Sequence, residues 1–257
     1  MTTTIWDRPA TSAWLPYPDA DAGVRLYCLP HAGGSASSFG PWVGRLRGVA
    51  VRPMQPPGRE TRKRDSAHTD MAVLTAELAA VILDDAAERP YAVYGHSMGA
   101  LVGFELIRRI QRIGGRPPAH FLLSACRAPH VATPDEDPTT LRDMSQDGIV
   151  AWLRKLGGTP EPFLSEPRAL AMILQPIRAD LAVLTSYQYQ PSPPLDVPIT
   201  SVAATDDPRA GVAAISAWRD QTVRRFEQHI LSGGHFAVFE QTEATLKIIR
   251  QALCRWV

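Results

Sequence analysis

The sequence predicts an α/β protein in which helices cover both faces of a mostly parallel central sheet. Short apolar runs with strand character alternate with amphipathic helical segments, and one such run passes through a glycine-containing turn directly into a helix. Strands that alternate with helices require a parallel sheet whose two faces are both covered. A chain of 257 residues can bury one large core, so we expect a single domain over residues 1–257.

The composition restricts the partners that the protein can have. Lys and Arg number 27 against 26 Asp and Glu, so no overall field attracts nucleic acid or an anionic membrane. Met1 to Pro18 lacks the pattern of a secretory leader and no apolar run reaches 18 residues, which predicts a cytoplasmic protein without a membrane anchor. Cys28, Cys126 and Cys254 lack metal-binding spacing and are expected to be buried thiols. We also expect a monomer with no metal and no cofactor.

Four apolar runs of strand length occur in the first half of the chain. These predicted strands cover 24–29, 49–54, 91–94 and 121–126. Between the second and the third, the apolar spacing predicts an amphipathic helix over 69–89, with Thr69 or Asp70 near its cap. A further helix begins after Ser97, and Gly114-Gly115 stops it.

Ser97 lies in the turn between the third strand and the helix that follows it. In this arrangement, called a nucleophile elbow, the serine sits on a sharp turn, and Gly95 and Gly99 let the backbone pack tightly. The helix also points its positive N-terminal end toward the reacting oxygen. Gly-x-Ser-x-Gly by itself can mark any turn, but here both flanking segments fit. Ser97 is therefore the predicted nucleophile.

The loop after the first strand reads Pro30-His31-Ala32-Gly33-Gly34-Ser35. Two adjacent glycines allow backbone N–H groups to approach a ligand closely. A serine hydrolase needs two such donors for its oxyanion, one from the residue after the nucleophile, here Met98, and one from an early loop, for which Ala32 is the candidate. The alternative is an ordinary Gly-Gly turn, in which His31 is a loop or core histidine rather than a base.

The loop after the second strand is basic, since it carries Arg59, Arg62, Lys63 and Arg64. Such a run is usually a solvated face. The alternative is that Arg59, Arg62 and Arg64 dock an acidic partner by charge complementarity.

Strand patterns lapse between Arg127 and about Pro198. Periodicity predicts a helix over 139–156 and more helix over 166–187, in which Pro176 produces a kink or a break. A helical insertion between two sheet strands, here about 127–197, commonly forms a lid over the active site of a hydrolase. Its apolar residues pack on the body or line a substrate channel, and for Trp152 and Phe163 packing is the favoured interpretation.

The last part of the chain returns to alternating strands and helices. Its predicted strands and helices cover 198–204, 212–223, 226–231 and 240–255. The two strands end in loops that hold the remaining candidate side chains.

An acid and a base follow these two strands. Asp206 and Asp207 come after the first, where the acid belongs in the chain order Ser, Asp, His. His235 lies in the loop after the second, whereas His229 lies within that strand, and a general base has to reach the Ser97 hydroxyl. The acid orients the ring and stabilises its charged form. We predict His235 as the base and Asp207 as the acid, with Asp206 as the alternative.

With these residues identified, the sequence resembles the type II thioesterases, the stand-alone editing enzymes of polyketide and nonribosomal peptide assembly lines. The likeness runs nearly end to end and rests on the following segments: 29–34, 57–62, 95–100, 156–160, 177–181 and 233–236. Three positions depart from the family pattern: Ala204 replaces a glycine, Ala237 an aromatic residue, and Arg209 an apolar residue after Asp-Pro.

The resemblance implies an α/β-hydrolase fold and hydrolysis of acyl thioesters. The substrates would be carried on the phosphopantetheine arm of acyl or peptidyl carrier proteins, and the enzyme would clear stalled or wrongly loaded units. Carrier proteins are typically acidic, which favours docking through the basic loop. Rival functions are a carboxylesterase or lipase, an acyltransferase or cyclising thioesterase, and a scaffold that has lost catalysis.

Overall fold

A parallel six-stranded sheet forms the centre of the protein in a computed structural model that describes residues 13–18, 20, 22–131 and 143–257. Its strands are β1 (Val24–Leu29), β2 (Val49–Pro53), β3 (Tyr91–His96), β4 (His120–Ser124), β5 (Ile199–Ala204) and β6 (Phe226–Leu231). They lie in the order β2-β1-β3-β4-β5-β6, and every neighbouring pair is parallel. The predicted fold class is therefore confirmed.

Helices pack on both faces of the sheet. They are α1 (Met71–Ala86), α2 (Met98–Arg112), α3 (Gln146–Leu156), α4 (Glu161–Ser165), α5 (Pro167–Thr185), α6 (Val212–Ser216), α7 (Ala237–Glu240) and α8 (Thr242–Ala252). Alternate residues of a strand point to opposite faces. In β1, Tyr27 joins the core beneath α1 and α2, whereas Leu26 joins a second core formed with α8.

Local signals in the sequence account for most of these boundaries. The Asp70 side chain caps α1 by accepting a hydrogen bond from Val73 N at 2.9 Å. Pro176 does not break α5, which continues through it. The predicted helix over 212–223 is instead the single turn α6 followed by a 3-10 turn, Ala217–Gln221. The sequence did not suggest α4 or the 3-10 turn Ala36–Trp42, which buries Phe39 and Trp42.

Three helices, α3 to α5, occupy the connection between β4 and β5, and we call them the lid segment. They share an apolar cluster of their own, which includes Ile149, Leu153 and Leu174. The first part of the predicted helix over 139–156 lies outside the described residues, and the helix begins at Gln146 after a Ser145 cap. In the described part of the chain, no helix is both long and apolar enough to span a membrane.

The cysteines differ from the prediction. Cys28 is buried, Cys126 is partly buried and Cys254 is exposed, so the expectation of three buried thiols is wrong for the last. Cys254 lies after the end of α8, where the chain leaves the core.

Candidate active site

Ser97 occupies a strained turn at the carboxyl end of β3. Its φ of 54° is unusual for a residue with a side chain, and its N–H donates to Ser124 O at 2.9 Å. A Cβ atom on Gly95 would lie 2.3 Å from Gly99 O, and one on Gly99 would lie 2.1 Å from Leu29 O. Both positions therefore require glycine, as an elbow that presses the helix against the sheet demands.

His235 reaches Ser97 from the loop after β6. Its Nε2 lies 3.0 Å from Ser97 Oγ, and its Nδ1 lies 3.0 Å from each carboxylate oxygen of Asp207. The hydrogen-bond network assigns the Nδ1–H proton to the side that faces Asp207, which leaves Nε2 free to accept the serine proton. The side chains of His235 and Asp207 are 2% and 0% exposed, so water does not compete for this pair.

His235 and two backbone N–H groups hold Asp207 in its ionised form. Oδ1 of Asp207 accepts hydrogen bonds from Arg209 N at 2.9 Å and from Ala210 N at 3.3 Å. Burial opposes the charge, but the contact with His235 and these two N–H groups outweigh it and lower the pKa of Asp207 below its ordinary value. The carboxylate is thus charged wherever the imidazole is needed as a base.

The structure brings Asp207, and not Asp206, to the imidazole. Asp206 is exposed, accepts a hydrogen bond from Thr205 Oγ1 at 2.9 Å and donates its N–H to Gly233 O at 2.8 Å. His229 lies on β6 with part of its surface exposed. Among the described residues, neither the Asp206 side chain nor His229 takes part in the hydrogen bonds that link Ser97, His235 and Asp207.

The two residues predicted to supply oxyanion donors line the cavity beside Ser97. Met98 begins α2, so its N–H is one of those that a helix leaves without an internal acceptor. Ala32 lies in the loop after β1, and both residues line the cavity together with Ser97 and His235. Within the described part of the chain, neither N–H has a protein acceptor. The next N–H, that of Gly33, donates instead to Asp180 Oδ2 at 2.7 Å.

A cavity of about 360 Å³ opens above the serine, between the body and the lid segment. Apolar lid residues such as Leu156, Ile173 and Ile177 form one wall, and Trp152 lines it too rather than serving packing alone. Phe163, for which we also predicted packing, lies on α4 and is 51% exposed. The space is large enough for an apolar chain that ends at Ser97 Oγ.

Two further histidines surround the base. The ring centroid of His96 lies 5.2 Å from that of His235, and the ring centroid of His31 lies 5.6 Å from that of His96. Phe236 packs against all three rings. Burial and the neighbouring His235 lower the pKa of His31 to about 3 and that of His96 well below its usual range. Both rings therefore stay neutral and do not repel a positive charge on His235. The sequence offered a loop or core position for His31 as an alternative, but neither spacing nor composition indicated that His31 and His96 lie together beside the base.

Cys126 also lines the cavity, but its chemistry differs from that of Ser97. Burial raises the pKa of its thiol to about 12, so it stays protonated. A protonated thiol is a poor nucleophile. In the described ranges, no three His, Cys, Asp or Glu side chains gather as metal ligands would.

Only part of the basic loop is exposed to solvent. Arg59 is 6% exposed and forms a two-point ion pair with Asp180, so its predicted docking role is wrong: a charge neutralised in the interior cannot meet a partner. Arg62 donates to Asp65 Oδ2 at 2.7 Å, and its side chain is 13% exposed. Arg64 is exposed, as is Lys63, and docking stays a prediction for that end of the loop.

Comparison with known proteins places this geometry in context. The family model described as thioesterase domain matches residues 24–253. Linear gramicidin dehydrogenase LgrE from Brevibacillus parabrevis is 38% identical, with 94% of this chain and 93% of that protein covered. Thioesterase PikA5 from Streptomyces venezuelae is 33% identical over 91% of this chain and 84% of its own length.

A solved structure gives the same picture. The type II thioesterase BorB from the borrelidin biosynthetic cluster superposes with a TM-score of 0.82 at 34% identity, and the match covers 94% of this chain and 98% of that one.

The relative LgrE is named as a dehydrogenase, which is a redox enzyme, unlike the thioesterases above. No two glycines of the present sequence are separated by a single residue, so it lacks the Gly-x-Gly-x-x-Gly loop typical of dinucleotide-binding enzymes.

Proposed function

This chain belongs to the thioesterase family, and we propose on that premise that it hydrolyses acyl thioesters on the phosphopantetheine arms of carrier proteins. The substrates would be stalled or wrongly loaded units of a polyketide or nonribosomal peptide assembly line. The relatives support this assignment, since PikA5 and BorB are named as thioesterases and BorB as one of type II. The observation that carries the chemistry is the continuous contact from Ser97 through His235 to Asp207.

The proposed reaction begins with attack by Ser97 Oγ on the thioester carbonyl carbon. As the C–O bond forms, His235 Nε2 takes the serine proton, and Asp207 stabilises the resulting imidazolium. The carbonyl oxygen becomes an oxyanion that accepts hydrogen bonds from the N–H groups of Ala32 and Met98. When the oxyanion collapses, the C–S bond breaks, and the pantetheine sulfur leaves with the proton from His235.

Water completes the cycle. His235 removes a proton from a water molecule as its oxygen attacks the acyl-serine, and it returns that proton to Ser97 Oγ when the ester bond breaks. The products are a free acid and a carrier protein with its thiol restored. Neutral His31 and His96 support both steps, because a second positive charge beside the imidazolium would raise the barrier.

The lid segment would hold the acyl chain, and the exposed end of the basic loop would meet the carrier protein. The apolar wall formed by Leu156, Ile173 and Ile177 suits an acyl chain. Lys63 and Arg64 are exposed and suit an acidic partner. All of the proposed catalytic groups lie within one chain, so we take the monomer as the active unit, with the lid segment as a subdomain of a single domain.

Hydrolysis of a panel of acyl-loaded carrier proteins tests this function. We expect the wild type to release free acid. The Ser97→Ala substitution should lower kcat by on the order of 10⁶-fold. Matched oxygen esters of the same acyl groups form the comparison. A preference for the oxygen ester would support an esterase instead, and transfer of the acyl group to an alcohol or amine in place of water would support an acyltransferase.

A further inference from the structure

A buried ion pair connects the lid segment to the loop that holds Ala32. Asp180, on α5, accepts from Arg59 Nη1 at 2.6 Å and from Arg59 Nη2 at 2.7 Å. The same carboxylate accepts from the N–H of Gly33 at 2.7 Å, and Arg59 Nη1 also donates to Gly34 O at 3.0 Å. The two side chains are only 6% and 5% exposed. Three segments distant in the chain therefore meet at the peptide groups that follow Ala32.

Helix α5 also contacts this loop directly. Gly33 has a φ of +77°, and a Cβ atom placed on it would lie 2.6 Å from Cγ1 of Ile177. Ile177 lies three residues before Asp180, on the same face of α5. The loop thus has no space for a side chain where the helix crosses it, and a shift of α5 would be transmitted to the backbone beside Ala32.

The choice of a charged pair for this contact points to orientation rather than stability. A buried ion pair often contributes no more stability than well-packed apolar residues of similar volume. Arg59 Nε is buried and has no acceptor in the described part of the chain, which is a further cost. What a guanidinium and a carboxylate supply is fixed geometry, because two parallel hydrogen bonds define a direction as well as a distance.

We propose that Asp180 and Arg59 are positioning residues for the reaction: they fix the peptide groups of Gly33 and Gly34 and so aim the N–H of Ala32 at the oxyanion. The inference rests on the proposed function, since it assigns a task to a donor of that reaction. Because Asp180 belongs to the lid segment, the second oxyanion donor is in place only when α5 is seated on the loop. The pair touches no substrate atom.

Two variants separate positioning from folding. Arg59→Met with Asp180→Leu replaces the pair by apolar side chains of similar size, which avoids an unpaired buried charge but removes the acceptor of Gly33 N–H. Asp180→Asn keeps the shape and one acceptor and removes the negative charge. Glu161→Gln is the matched control, because it breaks an exposed lid ion pair, that of Glu161 with Arg154.

The readouts are kcat and KM for an acyl-pantetheine thioester, together with the affinities of two inhibitors. An acyl trifluoromethyl ketone forms a tetrahedral adduct with Ser97 and needs the oxyanion donors, whereas the matching thioether of acyl-pantetheine mimics the ground state. For the double variant we expect kcat to fall roughly tenfold to hundredfold with KM within about threefold. Ketone affinity should fall by the same factor while thioether affinity holds. Glu161→Gln should match the wild type.

Either of two results would overturn the inference. One is a folded double variant with kcat within about twofold of the wild type, and the other is an equal loss of affinity for ketone and thioether, which indicates general loosening. Should the double variant not fold, Asp180→Asn decides by the same ratio of affinities. Failure of the wild type itself to hydrolyse the thioester would refute the proposed function instead, so the two failures are distinguishable.

Discussion

Asp207→Asn tests the proposed acid with almost no change of shape. In the variant, Oδ1 can still accept from Arg209 N and Ala210 N, so the amide Nδ2 is the group that turns toward His235. A neutral amide donor facing Nδ1 favours the ring form that carries its proton on Nε2. That form cannot accept the proton of Ser97, although the 3.0 Å contact between Nε2 and Oγ would be kept.

The magnitude follows from the loss of the working tautomer and of the charge that stabilises the imidazolium. In a serine protease the same replacement lowers kcat about 10⁴-fold, which corresponds to about 5 kcal/mol of transition-state stabilisation. We expect a fall of that order here, since Asp207 contacts the ring with both oxygens. The free energy of unfolding should change by less, because the amide fits the same space.

The assay is steady-state release of thiol from an acyl-pantetheine thioester, with Asp206→Asn as the matched control. In the described part of the chain, the Asp206 side chain accepts a hydrogen bond only from the neighbouring Thr205, so its variant should stay within about twofold of the wild type. A larger loss for Asp206→Asn than for Asp207→Asn would refute the reasoning and make Asp206 the acid.

Three other predictions concern the elbow, the neutral histidines and the basic loop. Gly99→Ala places a Cβ atom 2.1 Å from the backbone of β1 and should lower the free energy of unfolding, measured in urea, by roughly 3 kcal/mol or more. The control Gly211→Ala has open space around the new Cβ atom, and its free energy of unfolding should stay within about 1 kcal/mol of the wild type. His31 has a pKa of about 3 in the folded state and about 6.5 when unfolded, so the unfolded state binds more protons between these values and stability is lost as pH falls below about 6.5. Between pH 7 and pH 5, the free energy of unfolding of His31→Gln should therefore fall by on the order of 2 kcal/mol less than that of the wild type. Equal falls for the two proteins would contradict this prediction. The double substitution Lys63→Glu and Arg64→Glu should raise KM roughly threefold to tenfold for a carrier-linked substrate at low salt, and it should leave KM for free acyl-pantetheine unchanged. A parallel rise of KM for both substrates would argue against docking at this loop.

The sequence was sufficient for the features that depend on neighbours along the chain. Strand and helix periodicity predicted the six strands and the order of the main helices, and the glycines around Ser97 predicted the turn that the structure contains. His235 could be preferred to His229 because a glycine pair marks a loop. These signals are local, since each depends on a few consecutive residues.

Features that depend on distant contacts could not be predicted in this way. Arg59 belongs to a run of charges that normally lies in solvent, and its partner Asp180 is 121 residues further along the chain. The sequence favoured Asp207 over Asp206 as the acid and left Asp206 as the alternative, because only the folded loop determines which side chain turns inward at the end of β5. The 3-10 turn Ala36–Trp42 has no helical periodicity, although Phe39 and Trp42 enter the core.

The lid segment has an apolar cluster of its own, distinct from the three buried clusters along the sheet, although Val183 of α5 joins the core beneath α1 and α2. It can therefore be treated as an exchangeable module: helices from a relative could be transplanted to alter acyl-chain preference while Ser97, Asp207 and His235 keep their scaffold. Such a chimera has to preserve the contacts at its junction, among them the packing of Val183 in the core and the ion pair of Asp180 with Arg59. The incoming helix must carry a carboxylate where Asp180 meets Arg59, because a chimera without it would fill the cavity but have a lower kcat.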